Sequence, residues 1–235
     1  MFQAYYKKMR TYTTIFFDID NTLLDFYKAE EVAIRKVLKA HSLPYDDETV
    51  KTYSKINQSY WERFEKGEIP KSEIFEGRFK TLLSVLNREG NTSAIANDYF
   101  EALSEGYFKI DGADDILTVL KNRGYKLYAT TNGIALTQYK RIKNSGLERF
   151  FDGIFVSEEA GHQKPEKEYF DYIIDKIPEK DRSKILIIGD SQSSDILGGI
   201  NAQIDTCWFN FQNTAPKYNS RYEITKLCEL EKILP

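Results

Sequence analysis

Three short apolar runs, each ending in polar residues of a restricted kind, organise the chain. Thr14-Ile-Phe-Phe17 leads into Asp18, Lys126-Leu-Tyr-Ala129 into Thr130-Thr131-Asn132-Gly133, and Lys184-Ile-Leu-Ile-Ile188 into Gly189-Asp190. None alternates apolar with polar and each is only a strand's length, which predicts strands buried on both faces, as in a parallel sheet. Gly153-Ile-Phe-Val-Ser157 and Thr206-Cys-Trp-Phe209 add two more. Helical patterns separate them. One over 114–124 puts Ile116, Leu117 and Leu120 on one face and stops at Gly124; 135–146 repeats the design, and 166–176 follows Lys164-Pro165. Alternating strand and helix predicts an α/β fold with a doubly wound, Rossmann-like parallel sheet. Ligands in such sheets bind beyond the carboxyl ends of the strands, where these polar residues fall.

One stretch breaks the alternation. Between Asp25 and about Gly106 four helical patterns follow one another, at 27–42, 46–66, 71–89 and 92–107, punctuated by Pro44, Gly67-Glu68-Ile69-Pro70 and Gly90-Asn91. Four helices exceed what one crossover needs. The expected organisation is an α/β core, 1–24 and 108–235, with an all-helical cap, 25–107, inserted after the first strand.

Composition narrows the class of protein. With 235 residues, 41% hydrophobic and 29% charged, a soluble globular chain is expected. A net charge of −3 offers no basic stripe for a nucleic acid polymer. No stretch reaches transmembrane length and the first ten residues lack a secretory apolar segment, so a cytoplasmic protein with no membrane partner is expected. Met9 is a second possible start. Cys207 and Cys228 have no ligand-like spacing and read as free, buried thiols in reducing surroundings. A monomer or weak homodimer is expected.

The strand ends carry the chemistry. Asp18-Ile-Asp20 on an extended segment turns two carboxylates to one side. Two anions so close repel unless a cation intervenes or one is protonated, and a hard divalent ion such as Mg2+ takes oxygen ligands while leaving room for water and phosphate. Thr131, Asn132 and Gly133 offer a hydroxyl and backbone N–H groups to phosphate oxygens. Taken singly, that segment is an ordinary strand-to-helix turn, Lys164 a surface charge, and Asp195 a helix N-terminal charge. Asp190, directly after Ile-Leu-Ile-Ile-Gly, is harder to read as ordinary.

Together, Asp18, Asp20, Thr131, Lys164, Asp190 and Asp195 fall in one order along one sheet edge. This resembles the haloacid dehalogenase-like hydrolase superfamily, over about 13–210. The resemblance implies a phosphomonoester hydrolase working through an aspartyl-phosphate. Asp18 would be the nucleophile and Asp20 the general acid and base, its pKa raised by burial under the cap. Thr131 and Lys164 would contact the phosphoryl group, together with Asn132 and Gly133. Mg2+ would sit on Asp18, the Asp20 carbonyl and Asp190, while Asp195 would orient Lys164 or a metal-bound water. Dehalogenases of the superfamily lack an acid two residues after the nucleophile. Phosphomutases share the motifs and differ in the cap, and a non-catalytic binding protein would be expected to have lost one of these residues.

The segments Ile56-Asn-Gln-Ser-Tyr-Trp-Glu-Arg-Phe-Glu-Lys-Gly-Glu-Ile-Pro70 and Ser157-Glu-Glu-Ala-Gly-His-Gln-Lys-Pro165 are similar to a bacterial branch holding nucleoside 5'-monophosphatases, some pyrimidine-preferring. That implies a small-molecule phosphomonoester, a nucleotide first and a sugar phosphate or phosphoglycolate second. Phe26 and Tyr27 are specificity candidates because the chain enters the cap there. Tyr53, Tyr60, Trp61, Phe64 and Phe79 would face a base or, for the majority, pack cap helices. Arg78 reads as a surface salt-bridge residue, with a second anionic or sugar group as the alternative. His41 and His162 are too far apart to suggest a metal pair.

Overall fold

The computed structural model describes residues 12–235; Met9 and the first part of the expected core range lie outside the described residues. Six parallel strands form one sheet in the order β3-β2-β1-β4-β5-β6: β1 (Thr14–Phe17), β2 (Lys126–Thr131), β3 (Gly153–Val156), β4 (Ile185–Gly189), β5 (Asp205–Phe209) and β6 (Tyr222–Ile224). The expected strands are present within a few residues of their ends. Ser157 falls outside β3 and opens a short helical turn, and β6 adds a strand not expected from the sequence. At three residues, β6 is too short to announce itself by pattern.

The strands lack alternation because both faces are covered. Ile15 and Phe17 of β1, Leu127 and Ala129 of β2, and Leu186 and Ile188 of β4 join one core cluster with Ile116, Leu117 and Leu120 of α5 (Ala113–Asn122). The intervening Phe16, Tyr128, Ile185 and Ile187 join the opposite cluster, with Tyr169, Phe170, Ile173 and Ile174 of α8 (Lys167–Lys176). Burying each such side chain contributes about 1.5–3 kcal/mol. Between these helices lie α6 (Ala135–Asn144) and the short α7 (Ser157–Ala160).

Four helices fill the chain between β1 and α5: α1 (Phe26–Ala40), α2 (Asp47–Glu65), α3 (Lys71–Val85) and α4 (Thr92–Ser104). Asp25, Asp46 and Asn91 cap three of them, each side chain accepting from the N–H three residues on. These helices share a hydrophobic cluster of their own, built on Ile34, Leu38, Phe79, Leu82 and Ile95 around Tyr53 and Tyr99. The chain leaves for the helices and returns from them side by side. Asp25 N–H donates to the Phe108 carbonyl at 2.8 Å, Ile110 N–H donates to the Leu23 carbonyl at 2.9 Å, and Leu24 bridges Lys109 in antiparallel fashion.

Candidate active site

Strand order reverses between β1 and β4, so their connections run to opposite sides and open a crevice at the carboxyl ends. Asp18 follows β1 there, its N–H donating to the Ile188 carbonyl at 2.9 Å, and Asp190 follows β4. Thr22 Oγ1 accepts from Asp190 N–H at 3.1 Å and joins the two loops. Asn21, at φ 58°, turns the chain and accepts from the N–H groups of Phe26 and Tyr27, which fixes where α1 begins.

Lys164 is no surface charge. It is 1% exposed, and its Nζ donates to Asp18 Oδ1 at 2.6 Å, Asp195 Oδ1 at 2.7 Å and the Thr130 carbonyl at 3.0 Å. Burial opposes its charge, but Asp18 and Asp195 together hold its pKa above the ordinary lysine range. Asp195 also accepts from Ser191 N–H at 3.1 Å, and it can fold back this far because Gly189 has no side chain. A Cβ there would lie 2.2 Å from the Asp195 carboxyl. Asn132 braces the lysine from the backbone, accepting from Lys164 N–H at 2.9 Å and donating to its carbonyl at 2.8 Å. The Asn132 amide is thus committed to the loop, although the residue still lines the cavity.

Asp20 differs from its expected setting. Its side chain is 27% exposed and ion-paired with Arg141, not buried under the helices. Gln138 Nε2 donates to Asp20 Oδ2 at 2.5 Å and also to Thr131 Oγ1 at 2.7 Å, linking the candidate acid to the candidate phosphate-binding hydroxyl. Thr131 Oγ1 accepts from Gly133 N–H as well, at 3.0 Å. The close approach that Gly133 permits is that of Gln138, whose Nε2 would lie 2.3 Å from an added Cβ. Gln138 and Arg141, both 1% exposed, were missed from sequence. Their spacing of three on a helix that starts directly after a strand-end motif was the available signal.

Asp18, Asp190 and Asp195 each offer a carboxylate oxygen within 4.8 Å of the others. Against these three anions stands the single buried Lys164. Burial is the main influence pushing Asp18 up to about 7; Lys164 opposes it, and Asp195 and Asp20 add repulsion. Asp190 is raised well above the ordinary carboxylate range by burial, then by Asp18 and Asp195. Its carboxylate has no hydrogen bond among the described residues. Excess anionic oxygen with an unengaged ligand is the donor set a hard divalent cation completes. Asp195 sits within this cluster, but its oxygens accept from Lys164 Nζ and Ser191 N–H.

A cavity of about 250 Å³ opens over these groups and extends between the sheet edge and α1–α4. Phe26, Tyr27, Trp61 and Phe100 line it. Of the aromatic residues considered from sequence, Tyr53 and Phe79 are stacked in the helical core and Phe64 packs on Ile69 and Ile74, while Trp61 reaches the cavity. Arg78 corrects the expectation of a surface salt bridge: it is 2% exposed and lines the cavity. Glu65, also lining it, accepts from Ser193 Oγ at 2.6 Å; burial pushes its carboxyl up to about 7, with Ser193 opposing. His41 pairs with Asp98 and His162 with Glu166, so neither belongs to the site. Cys207 is buried as expected but Cys228 is exposed, and both are free. Among the described residues no helix is long and apolar enough to cross a membrane.

A family model described as haloacid dehalogenase-like hydrolase matches residues 12–203. YfnB of Bacillus subtilis is 42% identical over 228 residues, 96% of this chain and 97% of that one. A crystal structure of YfnB, bound to magnesium and revealing interdomain movement, superposes with a TM-score of 0.90 over 95% of this chain and 99% of that one. The pyrimidine 5'-nucleotidase PynA of Streptococcus pneumoniae is 38% identical over 199 residues (85% and 84% of the two chains). The pyrimidine 5'-nucleotidase YjjG of Escherichia coli is 32% identical over 226 residues (94% and 96%).

Proposed function

The chain belongs to the haloacid dehalogenase-like hydrolases, and from that premise we propose a magnesium-dependent phosphatase that cleaves nucleoside 5'-monophosphates, pyrimidine ones foremost, through a phosphoryl group carried on Asp18. The observation that carries the reading is Asp18 held by buried Lys164 at the floor of an aromatic-lined cavity. Two relatives named pyrimidine 5'-nucleotidase support the choice of substrate.

In the first displacement an Asp18 carboxylate oxygen attacks phosphorus, and the bond to the ester oxygen breaks as Asp20 delivers a proton to it. In the second, Asp20 takes a proton from water, the new hydroxide attacks the same phosphorus, and Asp18 is released with inorganic phosphate. Splitting hydrolysis in two lets one carboxyl serve as acid and then base. Lys164 offsets charge on Asp18 and on the phosphoryl oxygens. Gln138 and Arg141 hold the Asp20 carboxyl in place, and Thr131 Oγ1 meets a phosphoryl oxygen. The Asp18 and Asp190 carboxylates with the Asp20 carbonyl would hold Mg2+, which would supply positive charge that lets one anion approach another. The segment 25–107 acts as the cap, excluding water and choosing the leaving group.

The test is phosphate release from metal-stripped protein, with and without magnesium, across pyrimidine and purine 5'-monophosphates, hexose phosphates and phosphoglycolate. Release should require magnesium, vanish in Asp18→Asn and be fastest with pyrimidine nucleotides. A ranking led by phosphoglycolate or hexose phosphates would sink the nucleotidase reading and leave the chemistry standing.

A further inference from the structure

The wall that α1, α2 and α3 contribute to the cavity carries a connected row of polar side chains that the two displacements do not use. Ser54 Oγ donates to Glu30 Oε2 at 2.6 Å, Asn57 Nδ2 donates to Glu30 Oε1 at 2.7 Å, and Arg78 Nη1 donates to Asn57 Oδ1 at 2.7 Å. All four residues line the cavity, and Glu30, Asn57 and Arg78 are no more than 3% exposed. The row has a direction. Both Glu30 oxygens are engaged, which fixes the Asn57 amide, and the fixed amide oxygen holds one corner of the guanidinium. The row then ends without a partner: Arg78 Nε and Nη2 are buried and make no hydrogen bond.

Those two nitrogens lie on one edge of the planar guanidinium and offer two parallel donors. The plane itself is supported by the rings of Tyr99, Phe79 and Phe100, whose centroids lie 4.7, 5.1 and 5.1 Å from Arg78 Cζ. A buried cation with an unmet donor edge is costly for the fold alone, and a ligand bearing acceptors removes that cost on binding. Phe26, Trp61 and Phe100 supply apolar lining to the same cavity.

We propose that the free edge of Arg78 donates to the O2 ring carbonyl that uracil and cytosine share, and in cytosine also to N3 beside it, making Arg78 the residue that separates pyrimidine nucleotides from base-free sugar phosphates. The inference rests on the nucleotidase reading above and names the contact that would enforce it. Ser54, Glu30 and Asn57 are positioning residues for the guanidinium.

The experiment compares kcat/KM for UMP, CMP and ribose 5-phosphate in the magnesium-loaded full chain, for wild type, Arg78→Met and Arg78→Lys. In Arg78→Met the ratio of nucleotide to ribose 5-phosphate should fall about ten- to hundredfold, the worth of one or two charged hydrogen bonds. Arg78→Lys, which keeps the charge but loses the fork, should show a smaller fall. An unchanged ratio in either variant overturns the proposal. So does an equal loss on all three substrates, because it assigns Arg78 to the fold. If Arg78→Met does not fold, the ratio in Arg78→Lys decides alone. A wild type that prefers ribose 5-phosphate overturns the nucleotidase reading, and this inference with it, before any variant is measured.

Discussion

Lys71, in the first turn of α3, donates to the Gly133 carbonyl at 2.8 Å, directly after the strand end that carries Thr131. The same ammonium reaches Ser157 Oγ at 3.2 Å and Glu158 at 3.0 Å. Burial lowers its pKa and Glu158 opposes that shift. A second tie, Ser193 to Glu65, joins the end of α2 to the loop after β4. These contacts hold the helices down over Asp18.

Lys71→Met should therefore loosen the hold of α3 on the sheet edge beside Thr131. A partly exposed pair of this kind is worth about 1 kcal/mol, which corresponds to roughly a fivefold rise in KM. Steady-state kinetics on a nucleotide would check this, and a change confined to kcat with KM untouched would contradict it.

Glu65 predicts a pH dependence of stability. Its folded-state pKa lies near 7 against an ordinary 4.5, so its stabilising contribution is complete below about 4.5 and is lost as pH rises through about 7. Allowing for partial contact with solvent, the loss is roughly 1–2 kcal/mol. Urea unfolding at pH 5 and pH 8 should show wild type losing ground to Glu65→Gln across that interval. A constant difference between the two proteins would refute the assignment.

Lys164→Met should leave Asp18 and Asp195 buried without their cation, destabilising the protein by about 3–5 kcal/mol as well as abolishing turnover. Adding Asp18→Asn to it should return part of that stability, because the two changes share one interaction. Strictly additive losses would mean the pair is not energetically coupled.

Gly133→Ala tests the link between Thr131 and Asp20. The new methyl group occupies the position of Gln138 Nε2, so Gln138 must release Asp20. A fall in kcat of about tenfold or more is expected, with the thermal midpoint changed little. Full activity in this variant would show that Gln138 has no part in holding the acid.

Magnesium should raise the thermal midpoint of the metal-free protein in a concentration-dependent way, since it binds carboxylates assembled by folding. Asp190→Asn should weaken that response strongly. An equal response in wild type and variant would remove Asp190 from the ligand set.

The strand-end residues were legible because each follows an apolar run that fixes it in space: once β1, β2 and β4 are parallel neighbours, Asp18, Thr131 and Asp190 must share an edge. Lys164 was legible only through its place in the motif order, since nothing local distinguishes a buried lysine from a surface one. Gln138 and Arg141 were missed, and for Arg78 the surface reading stood ahead of a ligand contact. Polar residues on helices read as solvated faces until the partner surface is known, and here that surface is the cavity. Cys228 went astray for the converse reason, a residue type that is usually buried lying on the surface of the C-terminal segment.

The paired crossing at Asp25 and Phe108 has an evolutionary reading. Outgoing and returning chain are bonded to each other, so the four helices hang on the sheet as a pendant whose two attachment points are neighbours. Another pendant spliced at the same crossing would leave Asp18, Lys164 and Asp190 where they are. On the proposed function, the groups that meet phosphorus and those that meet the leaving group would then vary independently of one another.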